Sequence, residues 1–132
     1  MPGQFEVMIE RNFSSAHQLR GYKGKCENLH GHNYKIEIYA RGRELDNIGL
    51  LVDFTELKRV LRGIIAGIDH QFLNDLEAFQ AVNPSAENLA KYFFDQTRRG
   101  LRELPEGAGI TEVIVWETDT SSAIYRPGAA GN

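Results

Sequence analysis

The hydrophobic period of this chain changes twice along its length, and that limits the folds open to it. Phe5, Val7 and Ile9 alternate with polar or exposed-type residues on the way to Phe13. His32, Tyr34, Ile36, Ile38 and Ala40 then share one parity over about residues 32–42. A period of two is that of a strand with one face buried. After a turn-rich segment that includes Gly42 and Asn47-Ile48-Gly49, the period becomes helical: Phe54, Leu57, Leu61, Ile64, Ile65 and Ile68 would share a face. Asp53-Phe54-Thr55-Glu56 reads as a capping-box-like start for this helix. Ser85 after Pro84 is an N-cap for a second helix, expected to reach about Leu104 with Leu89, Tyr92, Phe93 and Leu101 buried. Pro105-Glu106-Gly107 stops it. Two further strands are expected at 110–117 and 122–126, joined by Thr118-Asp119-Thr120.

The order is β-β-α-α-β-β. Paired strands flanking two helices point to an α+β domain with a four-stranded antiparallel sheet and both helices on one face. Such a sheet has open edges, and assembly into a larger barrel would cover them. With 132 residues, the chain fits one domain, taken as residues 1–126 with a disordered tail at 127–132. A chain of this size buries roughly two thirds of its unfolded surface and needs no disulfide. Cys26 is the only cysteine, so none can form within the chain, and a lone thiol fits a reducing compartment. No secretory signal and no apolar run near the roughly 20 residues of a membrane span is present. The expectation is a soluble, cytoplasmic protein without a membrane partner. The net charge of −3 argues against a nucleic-acid binder that relies on an overall positive field.

Two of the four histidines stand in His30-Gly31-His32. On extended backbone, residues i and i+2 point to one side, so both imidazoles can reach one metal ion. If the first two strands form a hairpin, His17 joins them only through a wide loop. Three protein ligands with an open fourth position is the pattern of catalytic zinc, yet a bare His-x-His pair is more often two unrelated polar histidines. Cys26 has three readings: a small buried hydrophobe, a fourth ligand that closes a structural zinc site, or a catalytic thiol. Asp69-His70 follows the first helix, and a carboxylate beside an imidazole serves acid–base chemistry; a helix-end histidine beside a turn aspartate would look the same. Glu117 interrupts the apolar run Val113-Ile114-Val115-Trp116, either solvated or accepting from a ligand's ring nitrogens. Arg20, Lys23 and Lys25 form a basic run that could guide a phosphorylated substrate or face solvent.

Several segments in order carry more than any single one. Phe13-Ser14-Ser15-Ala16-His17, Cys26-Glu27-Asn28-Leu29-His30-Gly31-His32-Asn33-Tyr34, Asp69-His70-Gln71-Phe72-Leu73-Asn74, Ser85-Ala86-Glu87-Asn88-Leu89-Ala90 and Trp116-Glu117-Thr118 resemble the 6-pyruvoyl-tetrahydropterin synthase superfamily. The three residues between Cys26 and His30 resemble its carboxytetrahydropterin-forming branch, from the early queuosine pathway; the pyruvoyl-forming branch usually has a longer gap. The resemblance implies the tunnelling fold, a homo-oligomer expected as a hexamer with pockets at subunit interfaces, and zinc on His17, His30 and His32. It implies Cys26, Asp69 and His70 as catalytic residues, and Glu117, Ser85, Ala86 and Lys25 as substrate contacts. Ala86 departs from the family pattern, which often has a hydroxyl residue there. The implied reaction is a carbon–carbon lyase step on 7,8-dihydroneopterin triphosphate, giving 6-carboxytetrahydropterin, acetaldehyde and triphosphate. Two rivals are a pyruvoyl-forming synthase and a non-catalytic, zinc-stabilised assembly module in which Cys26 is the fourth ligand.

Overall fold

The computed structural model describes residues 3–21 and 28–128. Strand β1 (Phe5–His17) pairs antiparallel with β2 (His30–Gly42), followed by α1 (Phe54–Ala66), two single 3₁₀ turns, α2 (Ala86–Gly100), β3 (Gly109–Thr118) and β4 (Ser121–Tyr125). The sheet order is β1-β2-β3-β4, with every neighbouring pair antiparallel. This is the β-β-α-α-β-β order that the hydrophobic periods predict.

The parity set by the sequence decides which face is covered. Ile9 and Phe13 of β1, Tyr34, Ile36 and Ile38 of β2, and Val113 and Val115 of β3 all point into one core with Leu57, Leu61, Leu89 and Phe93 of the helices. Both helices therefore lie on the same face. The opposite face is polar, carrying ion pairs such as Arg41 with Glu6 and the hydrogen bond from Trp116 Nε1 to Glu37 at 2.5 Å. Phe5 and Phe54 fall on the periodic patterns, but each is about half exposed, at 49%. Both sit at the first residue of an element, beyond the reach of the layer opposite.

Helix α1 starts where the sequence predicts, with the Asp53 carboxylate accepting from the backbone N–H of Thr55 at 2.8 Å. The reciprocal half of a capping box is not made, because Glu56 pairs with Arg59 instead. Ser85 caps α2 by accepting from the N–H of Asn88 at 3.1 Å. That helix ends at Gly100, short of the expected Leu104. Leu101 turns to extended backbone there, and a Cβ on Gly100 would meet Val60 Cγ1 at 2.6 Å, so α2 packs closely on α1 at this glycine. No helix among the described residues is long and apolar enough to cross a membrane.

Candidate metal centre

Strand register does the first part of the assembly. His17 closes β1 directly opposite His30, which opens β2. The strands thus pair further than the sequence suggested, and no wide excursion of His17 is needed to bring it to the pair. His30 and His32 share the parity of Tyr34, and His17 that of Phe13, so all three rings turn to the helix side of the sheet. Glu117 enters through a different device. The β3–β4 register shifts between Trp116 and Thr118, leaving Glu117 as the extra residue of a bulge, a distortion that re-aims side chains.

The four donor atoms of His17, His30, His32 and Glu117 lie within 4.8 Å of one another. The outer nitrogens show what the inner ones need. His17 Nδ1 lies 2.7 Å from the carbonyl oxygen of Pro84, and His30 Nδ1 lies 2.7 Å from that of Asn28. A carbonyl only accepts, so in both neutral rings Nδ1 carries the proton and Nε2 is a bare lone pair. Those two Nε2 atoms face each other at 3.0 Å, and two lone pairs at that distance call for a shared cation. His32 Nε2 lies 2.8 Å from Glu117 Oε1, yet it is buried and makes no well-directed hydrogen bond. Tetrahedral zinc with ordinary Zn–N bonds would set its nitrogens about 3.3 Å apart. The donor set fits a zinc-like ion, with the carbonyl-bound Nδ1–H groups as its outer support.

Charge follows the same geometry. Burial pushes the His17 imidazolium down, but its contact with Glu117 and the Pro84 carbonyl outweigh this, and its pKa is raised. Burial dominates at His32, where the attraction of Glu117 is opposed by His17 and His30, and the pKa is lowered. Contact with His17 holds the Glu117 carboxyl below its ordinary range against the cost of burial, helped by His32.

Asp69 and His70 form a second cluster at the open side of β1. Asp69 Oδ1 accepts the backbone N–H of Ser14 at 2.9 Å, and Asp69 Oδ2 lies 3.1 Å from His70 Nδ1. The Ser14 amide, and after it the His70 ring, hold the Asp69 carboxyl below its ordinary range, while desolvation opposes them. Further along, Ala16 N–H donates to Gln71 O at 3.0 Å, and Ala16 bridges Phe72 in parallel. The segment after α1 is thereby stitched to the end of β1. His70 lines two clefts, one of about 580 Å³ with Asp69, Lys35 and Trp116 and one of about 490 Å³ with His32 and Phe72. His70 and one metal-ligand candidate, His32, therefore border a common space.

The remaining expectations divide. Ser85 is engaged in capping α2, and Ala86 is buried beside it, two residues after the Pro84 carbonyl that holds His17. Cys26, Lys25 and Lys23 lie outside the described residues, as do positions 129–132 of the expected tail. The Arg20 guanidinium is engaged by backbone, donating to the carbonyls of Phe79 at 2.7 Å and of Asn74 and Val82 at 3.3 Å. The sequence reading missed Pro84, whose part is played by its backbone, and Asn74. The Asn74 amide accepts from Gln18 N at 2.9 Å and donates to Gln18 O at 2.7 Å, fixing the residue after His17. The one available signal for Asn74 was its place in the Asp69–Asn74 segment.

A sequence profile described as 6-pyruvoyl tetrahydropterin synthase matches residues 6–128. The chain is 36% identical to the 6-carboxy-5,6,7,8-tetrahydropterin synthase of Bacillus subtilis, covering 98% of this chain and 90% of that protein. It is 32% identical to the 6-pyruvoyl tetrahydrobiopterin synthase of Dictyostelium discoideum, covering 86% and 90%. Among solved structures, the Caenorhabditis elegans 6-pyruvoyl tetrahydropterin synthase superposes with a TM-score of 0.85 at 27% identity, over 96% of this chain and 97% of that one. With the profile spanning nearly all of the sheet and both helices, the chain belongs to the 6-pyruvoyl tetrahydropterin synthase family.

Proposed function

We propose that this protein is a zinc-dependent 6-carboxy-5,6,7,8-tetrahydropterin synthase, acting as a carbon–carbon lyase on 7,8-dihydroneopterin triphosphate in queuosine biosynthesis. The observation that carries the metal part is the pair of bare Nε2 atoms of His17 and His30 facing each other at 3.0 Å. The substrate and product follow the relatives named 6-carboxy-5,6,7,8-tetrahydropterin synthase, with the Bacillus protein at 36% identity. The short spacing from Cys26 to His30 agrees with that branch.

His17, His30 and His32 would hold the zinc, which when bound supplies Lewis-acid stabilisation of negative charge on the substrate's side-chain oxygens. The protein's own residues do the rest. Asp69 accepts from His70 Nδ1, which turns His70 Nε2 outward to move a proton on the substrate side chain. Cys26, as thiolate beside Lys25, serves as the second proton-transfer group. Glu117 gives up its contact with His32 as the substrate arrives and accepts from the pterin's N–H donors, fixing the register of the ring. Ser85 and Ala86 border the ring through the backbone at the start of α2. Subunits associate through the sheet edges, so that pockets are completed between them.

The decisive experiment incubates zinc-loaded protein with dihydroneopterin triphosphate and identifies the products by mass spectrometry. 6-Carboxytetrahydropterin together with acetaldehyde supports the reading. The second reading, triphosphate elimination to a pyruvoyl product, is favoured by the match to the Caenorhabditis synthase, and a product retaining all side-chain carbons would establish it. In either case Cys26→Ala should keep zinc and fold while turnover falls by about 10²-fold or more.

A further inference from the structure

The Tyr34 hydroxyl is the second group at His17 Nδ1, at 3.2 Å beside the 2.7 Å contact from Pro84 O. Tyr34 is fully buried. It stacks on Phe13 with ring centroids 4.8 Å apart and planes 12° from parallel. Its edge meets both His17 and His32, at centroid distances of 6.1 Å and 5.6 Å. One side chain thus borders two of the three imidazoles, from the same strand that carries His30 and His32.

We infer that Tyr34 is a positioning residue of the metal centre: with the Pro84 carbonyl it accepts the His17 Nδ1–H, holding that ring in the tautomer whose Nε2 is free for the ion. Nδ1 has one hydrogen at most, and Pro84 O cannot supply one, so the Nδ1–H form is the one compatible with the 2.7 Å contact. The Tyr34 oxygen then accepts a share of the same hydrogen. The Pro84 oxygen is itself held in place. Asn83 exchanges hydrogen bonds of 2.9 Å with both backbone groups of Arg20, and Asn88 Nδ2 donates to Asn83 O at 2.8 Å. Rings that reach a metal are usually oriented through their other nitrogen, and loss of such support commonly costs 10- to 100-fold in metal affinity.

This inference rests on the metal-centre reading, and the test separates the two. Tyr34→Phe keeps the stacked ring and removes only the hydroxyl. Zinc affinity is measured by competition with a chromophoric chelator, and the His17 tautomer by ¹⁵N–¹H imidazole spectra of the metal-free protein. The unsubstituted protein should show His17 as the Nδ1–H tautomer. Tyr34→Phe should bind zinc about tenfold or more weakly, with faster exchange of the Nδ1 hydrogen and little change in the melting temperature of the metal-free form. Equal affinity in the two proteins, or an Nε2–H tautomer at His17 before substitution, overturns the role of Tyr34. Failure of the unsubstituted protein to take up zinc overturns the metal reading instead. The tautomer measurement stands even if the variant folds poorly.

Discussion

The backbone N–H of His70 donates to the carbonyl oxygen of Ser14 at 2.6 Å, holding in place the one non-glycine residue with positive φ, +56°, among those described. Asp69 accepts from the N–H of the same Ser14. One residue of β1 therefore grips both members of the dyad through its main chain. A left-handed conformation at a non-glycine residue costs of order 1 kcal/mol or more and persists where surrounding contacts impose it.

His70→Asn should keep fold and zinc, because asparagine tolerates that conformation and the side chain is largely exposed. Turnover should fall by about 10²-fold or more, read as kcat at full zinc loading. His70→Ala should lose the same activity and melt at a lower temperature than His70→Asn.

The Asp69 carboxyl is more acidic folded than unfolded. The unfolded state then binds the proton more readily, so this group's contribution to stability is complete above the ordinary carboxylate pKa of about 4. It is lost as pH falls through the lowered folded value. Melting temperatures between about pH 6 and pH 2 should therefore drop less steeply for Asp69→Asn than for the unsubstituted protein. Identical slopes would mean that the Ser14 contact does not favour the charged form.

Alanine at His17, His30 or His32 should each lower zinc content by elemental analysis. The His17 change should also lower the stability of the metal-free protein, because it leaves the buried Pro84 carbonyl without its donor, a loss of about 1–3 kcal/mol. Retention of tightly bound zinc in all three variants would remove the metal centre from consideration.

The crossing of α1 and α2 is equally open to test. Gly100→Ala places a Cβ 2.6 Å from Val60 Cγ1, and overpacking of this kind costs about 1–3 kcal/mol. Adding Val60→Ala should recover part of the loss, a coupling visible in a double-mutant cycle by urea denaturation.

The sheet and both helices were legible because their apolar residues repeat at the periods of strands and helices in a β-β-α-α-β-β order. Boundaries were less so. Leu101 and Leu104 continue the helical spacing of α2, yet the helix closes at Gly100, packed against Val60, a tertiary contact that the spacing does not state. The histidines were visible as a pair plus an outlier; that His17 stands opposite His30 depends on strand register, which no local pattern states. Glu117 was noticed for breaking an apolar run, but the bulge that turns it toward His32 is a property of β3 and β4 together. Pro84 stands in the sequence only as the residue before the Ser85 cap, since a carbonyl oxygen carries no mark there.

The opposition of His17 and His30 across the first two strands also bears on how sequences of this kind can diverge. Both ends of the connecting segment 18–29 are tied by the strand ladder, so residues could be gained or lost within it while the three imidazoles stay where they are. Loop closure penalises such insertions weakly, roughly 0.6 kcal/mol for each doubling of length. The segment that carries Cys26 can thus change its length in sequence while the three imidazoles keep their places. Insertion and deletion are open to that segment and closed to the strands themselves, where a slip of one residue would turn His17 away from its partners.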